Sequence, residues 1–200
     1  MLSPADLGIA LDVAETGASY AENAILKARA LAGASGLPAL ADDSGLEVDA
    51  LDGFPGIHSA RWVAGSDAHR VRALLERLEG VPMAGRSARF RAVVALARPG
   101  AGVVGVGVGV TDVETGAGSI EGRVAIVPRG NNGFGYDPVF LVEDGPYRGE
   151  LTLAELPAAA KDALSHRGRA LRAMWPALVQ LAGAGVPPPP RCAQPPTSGS

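Results

Sequence analysis

This chain of 200 residues contains a single cysteine, Cys192, in a proline-rich stretch near the C-terminus. One cysteine cannot build a disulfide framework, and it provides neither a cysteine-based metal site nor a candidate nucleophile. A protein without disulfide bonds suits a reducing compartment, so we expect this one in the cytoplasm.

Basic runs and long apolar segments are also missing. The 18 basic and 21 acidic residues give a formal net charge of −3, and the basic residues are scattered. Nucleic acid or an anionic membrane would require a concentrated basic patch, so neither is expected as a partner. The longest apolar run, residues 101–110, is about half of the roughly 20 residues that span a bilayer, and the N-terminus has no signal-peptide pattern. We therefore expect a soluble, unexported protein.

Aromatic residues are scarce at 4%, whereas 47% of the residues are hydrophobic. This composition predicts one globular α/β domain with an aliphatic core, which we place at residues 1–185. Residues 186–200 include a run of consecutive prolines and have too little apolar surface to fold. We predict a disordered tail there.

Periodic patterns predict two helices in the first half of the chain. The capping box from Ser19 to Glu22 opens the first, and its apolar spacing continues to Gly33. The second starts near Ser66 and ends at Gly80, with its arginines on a solvated face. Strands are predicted at residues 37–41, 87–97, 104–110 and 121–127. This alternation of strands and helices agrees with an α/β fold.

The C-terminal third has the signals of two further helices. A second capping box runs from Thr152 to Glu155, and Pro157 is suited to opening a helix that carries Lys161. Ser165 is expected to cap the last helix. The predicted core face of that helix consists of Leu171, Met174, Leu178 and Leu181.

Two adjacent acids and a hydroxyl, Asp42, Asp43 and Ser44, directly follow the predicted strand at residues 37–41. Carboxylate oxygens suit Mg²⁺, which is typically bound through one or two carboxylates and the phosphates of a substrate. Phosphate chemistry is therefore the first hypothesis. A solvated acidic turn is the alternative, and it is favoured for this segment taken alone.

Other polar residues could complete a phosphate site. Hydrolysis of a phosphoanhydride requires a metal, an acceptor that activates water, cationic donors and a pocket. The candidates fall into three sets: Glu15 with Lys27, the segment from Phe134 to Asp137, and Lys161 with His166 and Arg167. An aromatic ring at Phe134 or Tyr136 could stack on a base.

Each of these sets also has a purely structural interpretation. Lys161 could be an exposed helix lysine, and His166 a surface residue in a first helical turn. Phe134 and Tyr136 could simply belong to the core. Four further residues are assigned no site chemistry: His58, His69 and, as turn acids, Asp112 and Glu114.

Taken in order, the polar segments resemble the inosine triphosphate pyrophosphatase family, whose members are also called dITP/XTP pyrophosphatases. The similarity covers residues 14–17, 20–28, 37–48, 53–62, 128–140 and 161–169. So many ordered segments are more specific than any single motif. The resemblance implies a long twisted mixed β-sheet flanked by helices, and a homodimer. It also implies Mg²⁺-dependent hydrolysis of inosine, deoxyinosine and xanthosine triphosphates to the monophosphate and pyrophosphate.

The resemblance also implies roles for individual residues. Mg²⁺ is implied on Glu15 and Asp43 with Asp42 nearby, and Asp43 is the implied proton acceptor for the attacking water. Lys27 and Ser44 are implied to contact the phosphates. The implied nucleotide pocket consists of Phe134, Gly135, Tyr136, Asp137, Lys161, His166 and Arg167. Donors directed at a purine 6-oxygen would favour hypoxanthine and xanthine over adenine.

One part of the family pattern is missing from this chain. Family members begin with a strand, a Thr/Ser-x-Asn-x-x-Lys phosphate loop and a helix, whereas Met1 lies close to the loop that carries Glu15. We expect the natural protein to be longer at its N-terminus. Two alternative functions stay open. One is a noncatalytic nucleotide-binding protein that has lost its phosphate loop, and the other is a related pyrophosphatase for modified pyrimidine or other damaged nucleotides.

Overall fold

The computed structural model describes residues 2–100 and 110–183. Within these ranges the chain forms helices packed on a β-sheet, which confirms the α/β fold. In chain order the elements are α1 (Tyr20–Ser35), β1 (Ala39–Val48), α2 (Asp67–Arg77), β2 (Ser87–Pro99), β3 (Val110–Val124), β4 (Phe140–Val142), α3 (Ala158–Leu164), α4 (His166–Ala173) and α5 (Trp175–Ala182).

The strands of the described residues form one sheet in the order β1-β2-β3-β4. The sheet is long, with 13 residues in β2 and 15 in β3. Each strand pairs with the next strand along the chain, and every neighbouring pair is antiparallel. The parallel pairing of a mixed sheet, which the resemblance implied, does not occur in residues 2–100 and 110–183.

β1 is longer than the sequence predicted. The strand was expected to end at Ala41, with the acids behind it, but it continues through Asp42 and Asp43 in register with apolar residues of β2. The predicted strand end was wrong because both acids have a cationic partner. Asp43 pairs with Lys27 and Asp42 with Arg167, so neither charge has to lie in a solvated turn.

β3 replaces two predicted elements. It runs from the end of the predicted strand at 104–110 to the middle of the one at 121–127, so the latter is not a separate strand. The turn predicted for Asp112 and Glu114 was also wrong. Both carboxylates lie on β3 and contact Arg98 Nη1 of β2, at 2.7 Å and 2.5 Å. Such opposite charges across an antiparallel pair stabilise the strand.

The predicted N-terminal caps of α1 and α2 are confirmed. The hydroxyl of Ser19 accepts a hydrogen bond from Glu22 N, and that of Ser66 accepts one from His69 N. The capping box at Thr152, in contrast, opens no helix. Helix α3 starts only at Ala158, because a residue that precedes a proline disfavours helical geometry and Pro157 intervenes.

The predicted last helix is divided into α4 and α5. The division falls at Met174, two residues before Pro176, and a proline is tolerated only in the first turn of a helix. Ser165 caps α4 as predicted. Met174 is buried, but Leu171 and Leu181 are exposed, so the predicted core face was wrong at both positions. The break interrupts the helical repeat on which that prediction was based.

β1 directs its side chains to two layers. Ala39 and Ala41 pack with α1, whereas Leu40 packs with α4 and α5. Further along the strand, Leu46 and Val48 enter the main core, which also contains residues of α2 and β4. Because strand residues alternate, odd and even positions of β1 lie on opposite faces of the sheet.

Helix α4 lies very close to β3 at Gly118. A Cβ atom at this position would be 2.4 Å from the carbonyl oxygen of His166 and 2.5 Å from the nitrogen of Ala170. Only glycine allows such a close backbone approach. The missing side chain therefore lets the first turn of α4, with His166 and Arg167, lie directly on the sheet.

Some predicted features lie outside the described residues. They are the valines at positions 104, 106 and 108, Cys192, and the tail at residues 186–200. Within the described part, no helix combines the length and hydropathy of a membrane span.

Candidate active site

Lys27 lies between two carboxylates on the α1 side of β1. Its Nζ atom is 3.0 Å from Glu15 Oε1 and 3.1 Å from Asp43 Oδ1. The buried Asn23 holds the other oxygen of Asp43, donating from Nδ2 at 3.2 Å. We refer to Glu15, Lys27 and Asp43 as the carboxylate cluster. The structure thus brings together three predicted site residues from an entry loop, a helix and a strand.

Arg61 binds the opposite side of Glu15. Its guanidinium contacts Glu15 Oε2, while the other oxygen of this carboxylate faces Lys27. Arg61 directly follows Ser59 and Ala60, which line a cavity of about 610 Å³ that we call the main cavity. This short stretch therefore connects the carboxylate cluster with the cavity.

Asp42 points away from the carboxylate cluster. It lies on the opposite face of β1 from Asp43, because neighbouring strand residues alternate. Its Oδ2 atom accepts a hydrogen bond of 2.8 Å from Arg167 Nε. In residues 2–100 and 110–183 there is no group of three or more side chains that could ligate a metal.

The donors of the carboxylate cluster nevertheless fit Mg²⁺. Glu15 and Asp43 converge on one point, which the ammonium group of Lys27 occupies in this structure. Mg²⁺ keeps several waters and typically uses one or two carboxylates, with substrate phosphates completing its shell. Two convergent carboxylates match that requirement, whereas a cage made of protein ligands alone would require more of them.

The main cavity of about 610 Å³ lies on the opposite face of β1 from the carboxylate cluster. This volume lies in the range of sites for small molecules. The predicted residues that line it are Ser44, Phe134, Gly135, Tyr136, Asp137, Lys161, His166 and Arg167. The cavity thus unites every predicted base-binding residue with Ser44, whose neighbour Asp43 belongs to the carboxylate cluster.

Phe134 presents a ring that is 60% exposed at the cavity. The Nζ atom of Lys161 lies 4.8 Å from the ring centroid, and the guanidinium carbon of Arg167 lies 5.5 Å from it. Both distances allow cation–π attraction. An exposed aromatic ring flanked by cations offers a flat surface on which a planar base can stack.

Tyr136 is a wall of the cavity rather than a free hydroxyl. Its Oη atom donates to the carbonyl of Ser59 at 2.8 Å and accepts from Trp62 Nε1 at 2.6 Å. Burial raises the pKa of Tyr136, so the phenol stays protonated. The ring of Tyr136 is therefore buried, as the core interpretation predicted. Its hydroxyl group holds Ser59 and Trp62, which flank Arg61 in the sequence.

The buried Asp137 and the partly buried Lys161 form an ion pair next to Phe134. Lys161 Nζ is 2.5 Å from Asp137 Oδ2, and the same oxygen accepts a hydrogen bond from Phe134 N at 2.8 Å. Gly133 lies against this pair with a φ of +88°, and a Cβ atom there would be 2.2 Å from Asp137 Oδ2. Only glycine leaves room for the pair.

His166 is buried in the cavity wall, so its interpretation as a surface residue was wrong. The ring is 7% exposed and stacks on Phe90, with 4.9 Å between the centroids and 10° between the planes. Its Nδ1 atom has no hydrogen-bond partner among the described residues. Burial lowers the pKa of His166 to about 4, and the nearby Arg167 guanidinium acts in the same direction. The imidazole is therefore neutral at pH 7.

Sequence reasoning missed Asp67, Arg70 and Phe90, which also line the cavity. The arginines of α2 were expected on a solvated face, but the side chain of Arg70 is only 17% exposed and contacts Asp67. The spacing of three residues, which favours ion pairs on a helix, was the one signal available. Arg61 had no such signal, since its partner Glu15 is distant in sequence.

The neutral state of His166 predicts a loss of stability in acid. A histidine in the unfolded chain titrates near pH 6.5, so between about pH 6.5 and 4 the unfolded state binds more protons than the folded state. Stability should therefore fall as the pH drops through this window, by about 2 to 3 kcal/mol near pH 4.5. The measurement is urea unfolding at pH 7 and pH 4.5 for the wild type and His166→Phe, whose ring can still stack on Phe90. A pH dependence of equal size in both proteins would contradict the prediction.

Comparison with known proteins identifies the relatives of this chain. The model of the Ham1 family matches residues 1–177. The dITP/XTP pyrophosphatase of Symbiobacterium thermophilum is 50% identical over 160 residues, which cover 80% of this chain and 74% of that protein. The dITP/XTP pyrophosphatase of Bifidobacterium animalis subsp. lactis is 41% identical over 207 residues, covering 92% of this chain and 86% of that protein.

Solved structures give the same result. A HAM1 protein from Coxiella burnetii is similar with a TM-score of 0.72 and 42% identity, covering 85% of this chain and 81% of that chain. The Ham1 protein of Staphylococcus aureus has the same TM-score at 36% identity, covering 86% of this chain and 82% of that chain. The resemblance found in the sequence is thereby confirmed, and the chain belongs to the Ham1 family.

Proposed function

We propose that this protein is a Mg²⁺-dependent pyrophosphatase that hydrolyses inosine, deoxyinosine and xanthosine triphosphates to the monophosphate and pyrophosphate. The observation that carries the proposal is the position of the carboxylate cluster beside a cavity with an exposed aromatic ring and several cationic side chains. The names of the relatives, dITP/XTP pyrophosphatases, support the same substrate class.

The carboxylate cluster is the proposed phosphate end of the site. Mg²⁺ held by Glu15 and Asp43 would neutralise charge on the triphosphate oxygens. Lys27 provides a cationic donor at the same place, and the hydroxyl of Ser44 lines the cavity next to it. Asp42, which was expected near the metal, instead holds Arg167, so we assign it a part in base recognition.

Asp43 is the proposed proton acceptor. A water molecule attacks the α-phosphorus, a new O–P bond forms, and the bond from the α-phosphorus to the bridging oxygen breaks. Pyrophosphate leaves and the proton of the water passes to a carboxylate oxygen of Asp43. Asn23 and Lys27 each donate to one oxygen of this carboxylate, so both hold Asp43 in a fixed orientation.

The cavity is the proposed base end of the site. Phe134 would stack on the purine, and Lys161, His166 and Arg167 surround it. Asp42 engages Arg167 through Nε and thereby orients its guanidinium as a donor. A donor at this place can form a hydrogen bond with a purine 6-oxygen, whereas the 6-amino group of adenine is itself a donor and would have no acceptor there.

Two further expectations stay predictions. One is the homodimer implied by the family resemblance, and the other is a cytoplasmic location.

The first prediction concerns turnover and its metal dependence. The 200-residue chain should release pyrophosphate from inosine triphosphate with Mg²⁺ and lose this activity in excess chelator. Asp43→Asn should lower kcat by at least about 100-fold, because a positioned general base contributes 10²- to 10⁴-fold. Asp49→Asn is the matched control, since Asp49 lies just beyond the same strand and pairs with Arg89.

The result of this assay separates the hypotheses. Binding of inosine triphosphate without any pyrophosphate release would favour the noncatalytic nucleotide-binding protein. Preferential turnover of a modified pyrimidine triphosphate would favour the related pyrophosphatase for modified pyrimidine or other damaged nucleotides. Full activity of Asp43→Asn would contradict the role of Asp43.

The second prediction concerns selectivity. Arg167→Ala should lower kcat/KM for inosine triphosphate about tenfold or more relative to that for ATP, because a donor to the purine 6-oxygen is lost. Arg72→Ala is the control, since the Arg72 side chain is 68% exposed on α2. The measurement is kcat/KM for both nucleotides in each variant. An unchanged ratio in Arg167→Ala would place base recognition elsewhere.

A further inference from the structure

The Phe134 loop, residues 133–135, is attached to the protein by two carboxylates from different elements. Asp137 accepts a hydrogen bond from Phe134 N at 2.8 Å, and this acid follows closely in sequence. Asp67, in the first turn of α2, accepts one from Gly135 N at 2.6 Å. The second bond spans 68 residues, so it ties the loop to a separate helix.

Asp67 is itself held in place by Arg70. The guanidinium contacts Asp67 Oδ1, and its Nη1 atom donates to the carbonyl of Gly65 at 2.9 Å. Hydrogen bonding from Gly135 N, and then from Arg70, lowers the pKa of Asp67, so the carboxylate is ionised at pH 7. Both oxygens of Asp67 are therefore in use, one toward the helix and one toward the loop.

The attachment matters because burial does not fix the ring that the loop carries. Phe134 is 60% exposed and lines the main cavity. A second cavity of about 440 Å³ lies on the other side of the same loop, and Phe134 lines it as well. The lining of the second cavity is mostly apolar and includes Val71, Leu75, Pro128 and Pro138, and the charged residues Asp67 and Arg72 also line it. An apolar ring would gain burial by moving toward that side.

We propose that Asp67 is a positioning residue that keeps Phe134 at the main cavity as the platform for the purine base. This inference rests on the proposed function, since it assumes that a base stacks there. Asp67 acts through Gly135 N, and it belongs to the base end of the site. It should therefore govern the affinity for the nucleotide base and leave the binding of phosphates unaffected.

The kinetic test uses Asp67→Ala in the full chain. We expect KM for inosine triphosphate to rise about tenfold, while kcat stays within about twofold of the wild-type value. This pattern follows when the lost interaction stabilises the ground state and the transition state equally. Inhibition by pyrophosphate, which has no base, should be unchanged. Asp67→Asn keeps an acceptor oxygen for Gly135 N and should recover most of the affinity. Ser66→Ala is the control, because it removes the α2 cap next to Asp67 without touching the loop.

A spectroscopic test does not depend on turnover. Phe134→Trp labelled with 5-fluorotryptophan adds one ¹⁹F resonance to those of the two native tryptophans. Asp67→Ala in this background should shift or broaden the new resonance, whereas Ser66→Ala should leave it in place. An unchanged resonance and an unchanged KM would overturn the inference. If the wild type releases no pyrophosphate, the proposed function fails, and the ¹⁹F comparison alone decides the role of Asp67.

Discussion

The contact of one ammonium group with two carboxylates is the interaction on which the candidate active site depends. Without Lys27, Glu15 and Asp43 would repel each other, and Asp43 would be a largely buried charge without a cationic partner. Each acid uses its second carboxylate oxygen for another partner: Asp43 accepts a hydrogen bond from Asn23, and Glu15 pairs with Arg61. The site is therefore preorganised, because the two carboxylates and their two cationic partners hold each other in place before any metal ion or phosphate binds.

The alternation of β1 divides the chemistry between the two faces of the sheet. Asp43 joins α1 and the carboxylate cluster, whereas Asp42 and Ser44 face α4 and the cavity. The close approach of α4 at Gly118 brings Arg167 within reach of Asp42. Adjacent residues of one strand thus contribute to the phosphate end and to the base end of one proposed substrate site.

Local signals predicted the parts of the fold that depend on local interactions. The caps at Ser19 and Ser66 formed as expected, because a capping hydrogen bond joins residues three apart. The extent of β1 could not be predicted, since Asp42 finds its partner 125 residues away. The same reason explains why Arg61 and Asp67 were missed: their contacts with Glu15 and Gly135 exist only in the folded chain.

We propose that two separate ends of one site hold the two parts of a nucleoside triphosphate. The most direct measurement is calorimetric binding of inosine monophosphate with and without saturating pyrophosphate, in the presence of Mg²⁺. We expect both ligands to bind at once, and we expect Lys27→Met to weaken the binding of pyrophosphate while leaving that of inosine monophosphate nearly unaffected. Mutually exclusive binding, or an equal loss of both ligands in Lys27→Met, would contradict the proposal.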